Sequence, residues 1–186
     1  MTRLRTLALL ISVVLAAPAA LAQDACPAAP EIEPEAAPLL NALRDSTSEG
    51  TAREISAQLW ALWTRAPDEH AQHLLDEGMT RRASFDFAGA MIAFDALVSY
   101  CPAYAEGYNQ RAFVSFLRHD FQDALIDLDK TLDLSPRHIG ALSGKALTLM
   151  GLGQMDEAQV VLRDALALNP WLPERGLLVG PLGEDI

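Results

Sequence analysis

Cys101, His119, His138 and Asn109 are the residue types of a thiol-based catalytic site. In such a site an imidazole draws the proton from a cysteine and an amide orients the ring. Their spacing works against that chemistry. Cys101 ends one apolar-periodic segment just before Pro102, Asn109 lies within the next, and His119 falls in a turn. No glycine-rich nucleophile elbow flanks the cysteine. A second set is His70 and His73, three apart on one helical face, with Glu69 and Glu77 nearby. Two histidines at that spacing hold a metal weakly, and neither a cysteine pair nor a His-Glu-x-x-His motif completes a site. "GLGQ" (Gly151–Gln154) reads as a turn and not as a phosphate loop. The sequence therefore predicts no catalytic residue, no metal and no cofactor. A metal- or thiol-dependent enzyme using His70, His73 and Cys101 is the competing reading.

The elements that carry these residues repeat. Pro102, Pro136 and Pro170 lie thirty-four residues apart, as do Gly78, Ala112 and Ala146. The same interval links Ala90, Ala124 and Ala158, and again Phe94, Leu128 and Leu162. Each copy reads as two amphipathic helices, A and B, joined by a turn ("SFDF", "RHDF", "GLGQM"). Leu74, Tyr108 and Leu142 precede the small residue of helix A by four positions, and a large apolar residue follows the alanine of helix B by four. That spacing puts each pair on one helical face. Small residues recur where helix axes must approach closely. Asp86 and Asp120 stand at N-cap positions, where a carboxylate accepts orphan backbone N–H groups. Proline ends each unit.

This pattern resembles the tetratricopeptide repeat family over residues 71–170. The positions that carry the likeness are those above, with Ala165 in the third copy. Arg81 and Ser115 stand where the family has tyrosine in helix A, and Leu97 and Thr131 where it has a second small residue in helix B. The resemblance implies an all-α solenoid of helical hairpins, about four antiparallel pairs wound as a right-handed superhelix with a C-terminal capping helix. Three repeats are expected at 71–104, 105–138 and 139–172.

The flanks lack the consensus. Residues 33–70 read as two helices, roughly Glu33–Asp45 and Thr51–Arg65. Thr51 and Glu54 have capping-box spacing, and Ile55, Leu59, Leu62 and Trp63 form an apolar face. Terminal repeats of a solenoid are atypical, so this pair is expected to cover the open end of the stack. "PWLPERGLLVG" is expected as a short helix over the other end and "PLGEDI" as a loose tail. Residues 1–22 read as a secretory signal: Arg3 and Arg5, an apolar run from Leu7 to Ala17, and "APAALAQD" with cleavage between Ala22 and Gln23. The sixteen residues between Thr6 and Gln23 are short for a membrane span. Cys26 follows on a stretch, residues 23–32, expected to be flexible. The chain's two cysteines, Cys26 and Cys101, are either a disulfide stapling that stretch to the first repeat, as an oxidising compartment permits, or two free thiols.

Removing residues 1–22 takes away two arginines and no acid, so the formal charge falls from −11 to −13 over 164 residues. Such a chain repels nucleic acid and anionic lipid, and no membrane insertion is expected after cleavage. The resemblance places helix A of each repeat on the concave side. Helical steps then give Gln72, Leu75, Met79 and Arg82 from the first copy. Glu106, Asn109, Phe113 and Phe116 come from the second, and Gly140, Ser143, Leu147 and Met150 from the third. An apolar groove with methionines suits an extended or helical peptide. The basic side chains that some relatives use on acidic C-terminal tails are not matched by Asn109, Gln110, Arg111 and Lys145. The expectation is an exported, periplasmic, non-catalytic scaffold that binds an unidentified protein or peptide. Its oligomeric state is open, and a self-assembling structural element is a further reading.

Overall fold

The computed structural model describes residues 25–180, and the predicted signal and "PLGEDI" lie outside them. Within that range the chain is all-helical. Helices α1 (Glu33–Arg44) and α2 (Glu49–Trp63) form one hairpin. The three repeats follow as α3 (Glu69–Ala83) with α4 (Phe87–Tyr100), α5 (Ala105–Leu117) with α6 (Phe121–Leu134), and α7 (Ile139–Gly151) with α8 (Met155–Leu168). A five-residue 3-10 turn, Pro173–Leu177, is the last helical element among the described residues. No described helix is long and apolar enough to cross a membrane.

The periodic residues pack as the spacing requires. Ala90, Ala124 and Ala158 are fully buried, and so are Ala112 and Ala146 in the facing helices. Phe94, Leu128 and Leu162 fill the space beside them. At Gly78 the approach is closest: a Cβ there would lie 2.3–2.7 Å from three ring atoms of Phe94. Because that ring is fully buried, Gly78→Ala is expected to cost about 1–3 kcal/mol, read as a lower denaturation midpoint at unchanged slope. Consecutive helices pack from α3 through α8, and α3–α5 and α5–α7 also touch. The A helices are thus closer together than the B helices, which makes their side the concave one. Arg111 ties three helices across the stack. It donates to both Asp127 oxygens at 2.7 Å and to Asp95 Oδ1 at 2.9 Å, and Asp127 is the first cause holding its guanidinium charged.

Local signals end most helices. Asp68 Oδ1 accepts from Ala71 N at 2.8 Å, Asp86 Oδ1 from Gly89 N at 3.0 Å and Ser48 Oγ from Thr51 N at 3.1 Å. Ser48, and not Thr51, therefore caps α2, because the helix starts three residues earlier than the capping-box spacing implied. Asp120 sits at its cap position but makes no cap bond and pairs instead with Arg118 at 3.0 Å. The A–B turns place Phe85, His119 and Gly153, again thirty-four apart, at positive φ. Only the third copy has the glycine that relieves this conformation.

The α1–α2 hairpin departs from the expected end cap. It makes little contact with α3 and packs on the far side of the stack, α1 against α8. Its core joins Leu40, Leu43, Leu59 and Leu62 to Ile139, Leu168, Trp171 and Leu172. Residues 25–46 run along the row of loops between repeats. Cys26 is disulfide-bonded to Cys101 after the first repeat, Glu33 pairs with Arg137 after the second, and Ser46 O accepts from Trp171 Nε1 at 3.2 Å after the third. The return helix α2 starts with Glu49 at 4.0 Å from Arg175 and ends with Trp63 stacked on His138, ring centroids 4.2 Å apart. Arg65 then reaches back to Glu35 at 2.8 and 3.1 Å. The hairpin is a strap across the three repeats. Residues 25–32 carry no helix but are pinned by the disulfide at one end and by Ile32 in the strap core at the other. The C-terminal segment lies on α8, with Gln159 bonded to Leu177 O at 3.0 Å and Val179 N at 2.8 Å.

Candidate binding pocket on the concave face

Two structures occupy the concave side, a buried polar network under the strap and an open pocket beside it. The network centres on Glu106, which is 1 % exposed. Its carboxylate accepts from Asn109 Nδ2 at 3.1 Å, from Gln110 Nε2 and from His138 Nε2 at 2.8 Å. His138 Nδ1 accepts from Ala141 N at 3.1 Å, so the ring proton sits on Nε2 and points at Glu106. Gln110 Oε1 in turn accepts from Arg82, whose guanidinium lies 4.8 Å from the Phe113 ring centroid. Burial lowers the Arg82 pKa, and the charge of Glu106 acts in the opposite direction. Strap and network meet at Trp63: its ring covers His138, and its carbonyl accepts from the Tyr104 hydroxyl at 2.8 Å. Burial pushes the Tyr104 phenol well above its ordinary range, so it stays a donor.

The pocket lies between α5, α7 and the strap, with a volume of about 250 Å³. Of the residues expected on the concave face, it gathers Arg82, Asn109, Phe113, Phe116, Gly140, Ser143 and Leu147. Others stand elsewhere. Leu75 is fully buried in the core of the first repeat, and Met79 packs on that core. Gln72 accepts from Ala66 N and donates to Asp76. Glu106 belongs to the buried network, and Met150 does not line the pocket. Trp60 of the strap, Thr148 and Glu174 also line it, beside Gln110, Ala112, Leu128 and Gly144, and none of the three was among the expected residues. Thr148 is fully buried, yet its Oγ1 has no hydrogen-bond partner, and neither has the shielded Oε2 of Glu174. A buried polar atom left unpaired costs about 1–3 kcal/mol, so the fold carries two acceptors that it does not use.

The thiol set does not come together. Cys101 is bonded to Cys26, His138 faces Glu106, Asn109 donates to Glu106, and exposed His119 meets the edge of Phe121 at 5.5 Å. His70 meets the Tyr100 ring at 4.8 Å, and among the described residues no group of three or more His, Cys, Asp or Glu could hold a metal.

An all-helical stack of 34-residue hairpins with a pocket on its A-helix side is the architecture of a helical-repeat solenoid. Comparison with known proteins agrees. The chain is 34% identical over 92 residues to a TPR repeat-containing protein of Rhizobium etli, covering 50% of this chain and 40% of that one. It is 30% identical over 132 residues to tetratricopeptide repeat protein 36 of Xenopus tropicalis, covering 68% and 64%. The chain thus spans less than two thirds of the length of the curated relatives it matches. The TPR2B domain of yeast Sti1, solved in its pHsp70 complex, superposes with a TM-score of 0.53 at 23% identity, over 54% of this chain and 81% of that one. No protein-family model matches the chain. The chain has the tetratricopeptide-repeat fold.

Proposed function

We propose that this protein is a non-catalytic interaction module of the cell envelope, exported to the periplasm by residues 1–22, that takes a segment of a partner protein on its concave face. The observation that carries this reading is the pocket itself: Phe113 is 45 % exposed at its wall beside Trp60, Phe116 and Leu147. A half-exposed aromatic in a concave, mainly apolar site is the usual anchor for a bound side chain. The strap, through Trp60, forms part of the pocket wall, and a pocket of this volume suits a few side chains of a peptide and not a long helix along the whole stack. That the similarly folded TPR2B domain of yeast Sti1 was solved as a complex with pHsp70 supports this reading.

Phe113→Ala is expected to weaken binding of selected peptides by about tenfold or more, the loss of one aromatic anchor, while far-ultraviolet circular dichroism keeps the helical signal. Asn109 is unsuited to the same test, because its amide supports Glu106. Unchanged peptide affinity in the Phe113 variant would remove the pocket from the binding surface.

A further inference from the structure

The pocket holds two acceptors that the fold leaves unused. Thr131 and Thr64 return their hydroxyls to the carbonyl four residues back, at 2.8 Å to Asp127 O and 2.9 Å to Trp60 O. Thr148, fully buried on α7, makes no such bond and lines the pocket instead. Glu174, in the turn after α8, brings a carboxylate to the same wall, with Oε2 shielded from solvent and equally unpartnered. A carboxylate only accepts, and a hydroxyl can accept, so an N–H donor satisfies both. Beside a carboxylate the stronger donor is a cation, and the faces of Trp60, Phe113 and Phe116 attract the same charge.

Arg82 does not fill that role. Its guanidinium is engaged by Gln110 and Phe113, and it sits on α3, at the other end of the A-helix row from Glu174. The formal charge of −11 also favours approach of a cation over an anion.

We infer that this pocket takes an apolar chain ending in an ammonium or guanidinium, with Glu174 as its counter-ion and Thr148 Oγ1 as a second partner. The inference rests on the concave-face reading when the group is a lysine or arginine side chain of a bound peptide. A free organic amine offers the same chemistry. Either ligand has the opposite polarity to an acidic peptide tail.

Two arms test this on the mature chain. In the first, a random peptide library is selected on the protein, and the binders are titrated against the wild type and Glu174→Gln. The expected binders share one lysine or arginine position and bind Glu174→Gln roughly tenfold more weakly, the effect of a charge-assisted bond. In the second, hexylammonium is titrated while the Trp60 indole resonance is followed, with hexanol and hexanoate as controls. A shift with the ammonium alone, lost in Glu174→Gln, supports the site. If it appears without any peptide binder, the ligand is a free amine and the peptide reading falls. Peptide binders with no basic position, or ones indifferent to Glu174→Gln, overturn the inference and leave the peptide reading intact. Equal shifts with hexanol overturn it as well, because the pocket is then merely apolar. Absence of binding in both arms overturns both readings. Glu174 Oε2 has no hydrogen-bond partner in the fold, so Glu174→Gln breaks no bond there, and Thr148→Val, close in shape, is expected to weaken the same ligands several-fold.

Discussion

Glu106→Leu is expected to lower the unfolding free energy by about 3–5 kcal/mol, the cost of leaving several buried donors without their shared acceptor. The carboxylate is 1 % exposed and receives Asn109, Gln110 and His138. Leucine fills the volume but leaves three buried donors facing carbon, each with its own desolvation penalty. Arg82 loses the nearby negative charge that favours its half-buried guanidinium. The damage should extend into the strap, because Trp63 stacks on the same His138 ring that Glu106 orients. Glu106→Gln retains an acceptor and is expected to lose less than Glu106→Leu. Chemical denaturation of both variants, followed by tryptophan fluorescence, reads the difference. A leucine variant within about 1 kcal/mol of wild type would show that the network contributes little net stability.

The repeats were legible because their signal is local and redundant. Gly78, Ala112 and Ala146 mark close helix approaches, and each copy restates the others in the same register. The strap was not legible as a strap. The apolar face of Ile55, Leu59, Leu62 and Trp63 says that α2 must be buried, but an amphipathic face does not name its partner. Stacking on α3 and docking across three repeats ask for the same pattern. One sign was present: Arg44 stands thirty-four residues before Gly78, where stacking needs a small side chain. Arg44 is exposed in the structure, as a residue outside the stack can be.

The pocket was half legible for a related reason. Helical steps along α5 and α7 lead to Asn109, Phe113, Phe116, Ser143 and Leu147, since those residues share a face by geometry alone. Trp60, Thr148 and Glu174 join them only through long-range docking. Glu106 was misjudged by the same logic. Its register put it on the concave side, which is correct, but the strap covers that end and turns a surface carboxylate into a buried hub. Met79 and Leu75 went the other way, into the core of the first repeat, where apolar residues at helical spacing more often belong.

Reducing the Cys26–Cys101 bond is expected to destabilise the protein by about 4–5 kcal/mol, because it frees a loop of 75 residues in the unfolded chain. For a chain of this size that corresponds to a fall in Tm of about 8–20 °C. Cys26→Ser should reproduce the effect without reductant and without altering Cys101, which is 2 % exposed. The loss has a place as well as a size. The bond closes the loop that contains α1, α2 and the whole first repeat, and α2 joins the stack with little packing on α3. Without the staple, the strap is held by the Glu33–Arg137 pair, the Trp171–Ser46 bond and its apolar core against α8. Backbone amides of α1 and α2 should then exchange faster, while those of α5 to α8 keep more of their protection. That gradient separates two accounts of the disulfide. If it acts only on the unfolded chain, protection falls evenly along the protein. If it also holds the strap on the concave face, protection falls first in the strap and Trp60 becomes more exposed. An unchanged Tm under reductant, with the thiols shown to be free, would refute both.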